Sequence, residues 1–281
     1  MRYPPNISEV QQTFPDFEVI CQIGQGGQKT VFEVVRKADN KRFVLKILNP
    51  QASIERVQRE IQAMLVVDSP YVAGVAEYQQ RISPTGGITF IIEDFIPGEV
   101  LRTKLEIGTI YTPDAAIKFL DMVLQGLQAC AEKNIVHRDI KPENIIIRPD
   151  ESPVIIDFGI ARHLDQTSLT ETSRIWGICT PPYASPEVLE YRKDQIDARS
   201  DLFSLGVTGY EMLTGSHPLW VWGDRNDLNF ERMLRHTPQP LTALMPAIPE
   251  ELSKFILRMM NKDRFRRFRD AAFAREKLRE I

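Results

Sequence analysis

Moving a phosphoryl group from a triphosphate requires charge compensation, a metal clamp and a group that orients the attacking hydroxyl. The chain gathers residue types that such chemistry draws on in one short stretch. His137-Arg138-Asp139 is followed by Lys141-Pro142-Glu143-Asn144 and then by Asp157-Phe158-Gly159, with Lys46 far upstream in Phe43-Val44-Leu45-Lys46. Taken singly, each has a plainer reading: a loop Asp or Asn usually shapes a turn, and a strand lysine usually points to solvent. The joint string is what raises it above those readings.

The elements that must position these residues can be read from punctuation and periodicity. From Phe17 to Leu48 the chain is rich in β-branched and aromatic residues. Turn chemistry breaks the run at Gly24-Gln25-Gly26-Gly27 and at Ala38-Asp39-Asn40-Lys41, which predicts three successive antiparallel strands. Ile54, Val57, Ile61, Met64 and Leu65 then recur at helical spacing behind a capping Ser53, giving a helix at Ser53–Val67. Two more strands follow Ser69-Pro70, the second being Thr89-Phe90-Ile91-Ile92. Beyond Pro97-Gly98 the character turns helical. Thr112-Pro113-Asp114 opens a helix, with Ile117, Leu120, Val123, Leu124 and Leu127 on its buried face. Leu202 through Leu213 is apolar on nearly all sides and belongs inside its lobe. The expected class is α+β: a small antiparallel sheet lobe with one helix (1–97) and a larger, mainly helical lobe (98–281), joined near Asp94–Gly98.

Composition narrows the function classes. The 281 residues carry a net charge of −3 with 43% hydrophobic residues, which suits one two-lobed soluble unit. That balance gives no reason to expect nucleic acid as a partner. No apolar run approaches the ~20 residues a membrane-spanning helix needs. The N-terminus lacks a signal-peptide pattern. Cys21, Cys130 and Cys179 have neither paired nor metal-ligand spacing; they read as reduced thiols of a cytoplasmic protein. Arg264, Arg266, Arg269, Arg275, Lys277 and Arg279 make the C-terminal stretch basic, a solvated helix end in the plainer reading.

The string His137 to Asn144 with Asp157-Phe158-Gly159 resembles the catalytic loop and metal-binding motif of the protein kinase superfamily, over roughly residues 17–275. The bacterial Ser/Thr kinases of eukaryotic type are similar. Two motifs of that length, in that order, seldom arise by chance. The resemblance implies a bilobal kinase fold, ATP and Mg²⁺, and protein substrates, the chain itself among them. It implies that Asp139 handles the proton of the substrate hydroxyl, and that Asn144 and Asp157 hold magnesium. Lys141 contacts the γ-phosphate, the mark of Ser/Thr specificity. Lys46 binds the α- and β-phosphates and pairs with Glu60. Ile23, Gly24, Gly26 and Val31 form the glycine loop and its flank. Adenine lies between Val31 and Val44 above and Ile146 below, with backbone groups of Asp94 and Ile96 on its edge. In the segment Thr180 to Glu187, Thr180 bridges Asp139 and Lys141, and Glu187 pairs with Arg267. Asp201 anchors the catalytic loop backbone. Arg138 receives a phosphate from the activation loop, with Thr170 and Thr172 the preferred sites among Thr167, Ser168, Thr170, Thr172 and Ser173.

Several positions depart from the pattern. Lys29 stands at the third glycine's place and reads as solvent-facing, and Gln28 replaces an aromatic. Ser185 stands where Ala is usual, and Cys179 where Gly is common. Glu93 occupies the gatekeeper position, commonly apolar or Thr, where a carboxylate narrows and polarises the back of the pocket; its partner is left open between Lys46 and water. Trp220 and Trp222 read as core before they read as a docking patch. Two rival functions are weighed. A nucleotide-binding pseudokinase is expected to lose Lys46, Asp139 or Asp157, and all three are present. A small-molecule kinase has no need of the peptide-shaping stretch Thr180–Glu187.

Overall fold

The computed structural model describes residues 3–26, 29–49, 65–83, 86–157 and 180–281. These fall into two compact units, one from the described residues of Met1–Asp68 and Ala73–Ile96, the other from those of Ser69–Val72, Pro97–Gly159 and Ser168–Ile281.

The first unit is a five-stranded sheet in the order β1-β2-β3-β5-β4, every pairing antiparallel. Its strands are β1 Phe17–Gln25, β2 Lys29–Arg36, β3 Lys41–Leu48, β4 Val75–Ser83 and β5 Gly86–Asp94. Alternation divides its residues between two faces. Phe32 and Val34, Phe43, Leu45 and Ile47, and Ile88, Phe90 and Ile92 form one buried cluster. A helix absent from the sequence-based expectation covers this cluster: α1, Ile7–Thr13. It opens with a capping box, the Asn6 side chain accepting from Glu9 N at 2.9 Å and Glu9 accepting from Asn6 N at 3.0 Å. Val10 and Phe14 are fully buried in the cluster, with Phe14 edge-on to Phe90 at 4.8 Å between ring centroids. Gln11 donates to Phe17 O and accepts from Val19 N, which pins the helix to the start of β1. The helix expected at Ser53–Val67 lies largely outside the described residues.

The second unit holds a small antiparallel sheet, β6 Glu99–Val100, β7 Ile145–Ile147 and β8 Pro153–Ile155, and a larger set of helices. They are α2 Leu101–Glu106, α3 Pro113–Glu132, α4 Pro186–Leu189, α5 Ala198–Thr214, α6 Asn226–Arg235, α7 Leu241–Leu244, α8 Glu250–Met259 and α9 Ala271–Leu278. Thr112 caps α3 by accepting from Ala115 N. Ile117 proves only half-buried, and Phe119 and Cys130 join the buried face instead. α5 is buried without interruption from Ser200 to Leu213. Its Gly206 admits close packing: a Cβ there would stand 2.7 Å from Met260 Cγ and 3.0 Å from Met259 Cβ, beside the end of α8. At the entry to this unit Gly98 has φ +151°, and a Cβ would lie 2.3 Å from Ile147 O, so no other residue fits. Among the described residues no helix is long and apolar enough to cross a membrane.

Candidate active site

In the first unit, the sheet face opposite the buried cluster carries the phosphate-binding candidates. Val31 pairs with Lys46 across β2 and β3; Val44 pairs with Glu93, and Lys46 with Ile91, across β3 and β5. Lys46 and Glu93 are therefore diagonal neighbours on one face, where long side chains can meet. Lys46 Nζ lies 2.6 Å from Glu93 Oε2, and the two side chains are only 7% and 5% exposed. This settles the partner left open for Glu93. Val31 and Val44 are half-buried, keeping some apolar surface open beside the pair. Gly24 pairs with Val31, and Ile23 is half exposed. Gly26 N donates to Lys29 O at 2.9 Å, and the Tyr3 hydroxyl donates to Gly26 O at 3.2 Å. Lys29, expected to face solvent, is only partly exposed in β2. The Asp94 amide donates to Gly74 O, its carboxylate pairs with Lys41 at 3.0 Å, and Ile96 is half-buried. Glu60, Gly27 and Gln28 lie outside the described residues.

In the second unit, buried hydrogen bonds fix the catalytic loop from three sides. Asp201, on buried α5, accepts from the amides of His137 (2.8 Å) and Arg138 (2.7 Å). Burial raises its carboxyl to about 6, while those two amides work in the other direction. The His137 ring is buried; its Nδ1 accepts from Asp139 N at 3.3 Å and its Nε2 lies 3.1 Å from Ile156 O. The proton therefore belongs on Nε2, and the ring ties the loop to the residue before Asp157. Sequence reading gave His137 no such part. Arg138 and Asp157 both hold left-handed backbone, φ +66° and +65°, a strain of roughly 1–3 kcal/mol each that the surrounding bonds must offset.

Asp139 is buried and engaged at both oxygens. Thr180 Oγ1 donates to its Oδ1 at 2.8 Å. Asn144 Nδ2 donates to its Oδ2 and to its backbone oxygen, each at 2.8 Å. Lys141 Nζ lies 3.3 Å from Oδ2 and donates to Thr180 Oγ1 at 2.7 Å. With its amide hydrogens used on Asp139, Asn144 can offer a cation its Oδ1, an oxygen donor of the kind magnesium takes. Asp157 supplies carboxylate oxygens. The donor set fits Mg²⁺. Ile146 is the half-buried member of β7, between buried Ile145 and Ile147.

The Thr180–Glu187 stretch is locked to the helices behind it. Glu187 meets Arg267 through two bonds, 2.7 and 2.9 Å, and accepts from Ser200 at 2.7 Å. Burial opposes the Glu187 charge, but Arg267 and Ser200 hold its carboxyl below the usual range. A second network, unseen in the sequence, joins Tyr183, Arg102, Glu211 and Glu143. Tyr183 donates to Glu211 at 2.5 Å; Arg102 donates to Glu211 at 2.8 Å, to Glu143 at 3.0 Å and to the Tyr183 oxygen. Glu143 directly precedes Asn144, so this network also steadies the loop that carries the candidate metal ligand Asn144. The tryptophans divide: Trp220 is buried and Trp222 is 67% exposed. In the basic C-terminal stretch Arg264 pairs with Asp197 and Arg275 with Asp121. Phe158, Gly159, Thr167, Ser168, Thr170, Thr172, Ser173 and Cys179 lie outside the described residues.

The chain is also similar to known proteins. The family described as protein kinase domain matches residues 17–277. The chain is 31% identical over 261 residues to the serine/threonine-protein kinase PknA of Corynebacterium glutamicum, covering 91% of this chain and 54% of that protein. It is 29% identical over 284 residues to PknB of Mycobacterium leprae, covering 99% and 44%. To PknB of Mycobacterium tuberculosis it is 32% identical over 225 residues, covering 79% and 35%. The chain thus spans about half or less of the length of these relatives. With both motifs in order, a loop built around Asp139 and a family match over nearly its whole length, the chain belongs to the protein kinase domain family.

Proposed function

We propose that this chain is a catalytic domain that transfers the γ-phosphoryl group of ATP to Ser and Thr hydroxyls of proteins, itself included. The observation that carries the reading is Asp139, buried and held at both oxygens by Thr180, Asn144 and Lys141. A carboxylate so fixed can receive the proton of an incoming hydroxyl without first reorganising. The Thr180 hydroxyl, which donates to Oδ1 at 2.8 Å, supports the reading of this carboxylate as an acceptor for hydroxyl groups. Lys141, beside Asp139, brings positive charge to the transferred phosphoryl, and Lys46 does so for the α- and β-phosphates. Asn144 and Asp157 would hold Mg²⁺, which when bound neutralises charge on the phosphates. The printed names of the relatives, serine/threonine-protein kinases, support the choice of hydroxyl. In the same reading Arg138, one residue before Asp139, receives a phosphate placed on Thr170 or Thr172.

Incubation with γ-labelled ATP, Mg²⁺ and a generic protein substrate tests the proposal. Label is expected on the added protein and on the chain itself, and to be lost when Mg²⁺ is chelated. Label on neither, with nucleotide still bound, would turn the reading toward a pseudokinase.

A further inference from the structure

The Lys46–Glu93 contact is unusual for what it asks of a buried lysine. An ammonium and a carboxylate, each almost wholly out of water, meet at 2.6 Å. Two ions are stable there only as a pair with good geometry. Their meeting is set by strand register rather than by a loop: Val44 faces Glu93 and Lys46 faces Ile91 in a ladder that runs unbroken from Phe43↔Asp94 to Ile47↔Phe90. Both side chains leave the sheet on the face away from the Phe32–Phe90 cluster. A lysine has a flexible four-carbon stem and three donors. Spending one donor on a partner in the neighbouring strand narrows where the other two can point.

We propose that Glu93 is a positioning residue for Lys46, fixing its ammonium from within the sheet so that nucleotide phosphate meets an already placed donor. The inference rests on the reading of Lys46 as a phosphate-binding residue. It needs nothing of Glu60. The carboxylate meets the ammonium at 2.6 Å from the neighbouring strand and so holds the lysine extended across the sheet face. Phosphate recognition at Lys46 then depends on directed N–H bonds more than on net charge, because Glu93 cancels much of the lysine's field.

A double-mutant cycle read by calorimetry tests this, using a non-hydrolysable ATP analogue with Mg²⁺ and the full chain. Glu93→Gln keeps size and removes charge; Lys46→Met keeps the apolar stem and removes the ammonium. Losing a charged hydrogen bond is expected to weaken analogue binding roughly tenfold for Glu93→Gln when Lys46 is present. In the Lys46→Met background the same change should leave affinity alone. Equal losses in both backgrounds would show that Glu93 supports the sheet and not the lysine, and would overturn the proposal. If Lys46→Met weakens binding while Glu93→Gln does not, the proposal falls and the reading of Lys46 stands. If Lys46→Met has no effect, both fall. Should Glu93→Gln fail to fold, Glu93→Asp, with the charge kept and the reach shortened, gives the same comparison.

Discussion

Which nitrogen of His217 carries the proton decides how one loop is fastened. Its Nδ1 accepts from the amides of Leu219 (3.1 Å) and Trp220 (2.7 Å), so the proton sits on Nε2, 2.8 Å from Pro182 O. The neutral ring thereby ties the Thr180–Glu187 stretch to the tryptophan loop. A second proton would have to enter at Nδ1, against two N–H donors. Burial, the main cause, pushes the ring's pKa down to about 4 from 6.5. Between those values the unfolded chain binds a proton that the folded chain does not. Stability is therefore lost as pH falls from 6.5 toward 4, by about 3 kcal/mol at most for this one group. His217→Gln can supply the same acceptor and donor without titrating. Denaturant unfolding of both proteins across that window should show a steeper acid loss for the parent. Parallel curves would mean that His217 is not held neutral by the fold. Nothing in the sequence marks His217 for this part, because its partner Pro182 is 35 residues away.

Among the elements, α1 shows where pattern reading ran out. Seven residues span too few turns for periodicity to register, yet the capping pair Asn6 and Glu9 and the apolar pair Val10 and Phe14, four apart, were there to be seen. The strands were legible for the opposite reason: alternation and turn chemistry repeat over many residues. So was α5, apolar on nearly all sides from Leu202 to Leu213 and buried there throughout. The weight carried by α1 can be measured. Phe14 is fully buried against Phe90, so Phe14→Ala leaves a cavity and should cost about 3–5 kcal/mol. Urea unfolding of the full chain would register it as a lowered midpoint. A shift of less than about 1 kcal/mol would mean that α1 is loosely seated and that the sheet closes its core without it.

At the scale of the whole molecule, the candidate site was readable where its residues are close in sequence. Asp139, Lys141 and Asn144 lie within one loop, and local order alone brings them together. Contacts that depend on register or on tertiary packing were not readable from the residues alone; the family resemblance supplied Thr180 with Asp139 and Glu187 with Arg267. Lys46 and Glu93 are 47 positions apart; Arg102 and Glu211 are 109 apart. Register settles the first, which the sequence left open between Lys46 and water, and helix packing alone brings the second together. Asp201 was legible only through the family resemblance, since nothing in its own surroundings says that it receives the His137 and Arg138 amides. The central proposal is that Asp139 takes the proton of a Ser or Thr hydroxyl. The most direct test is the rate of γ-phosphoryl transfer to a generic protein by the parent and by Asp139→Ala, at saturating MgATP, with the labelled amino acids identified. The account expects phosphoserine and phosphothreonine from the parent, and a rate lower by roughly 10²–10⁴-fold in the variant, which should still bind nucleotide. Transfer by Asp139→Ala at the parent's rate would contradict it.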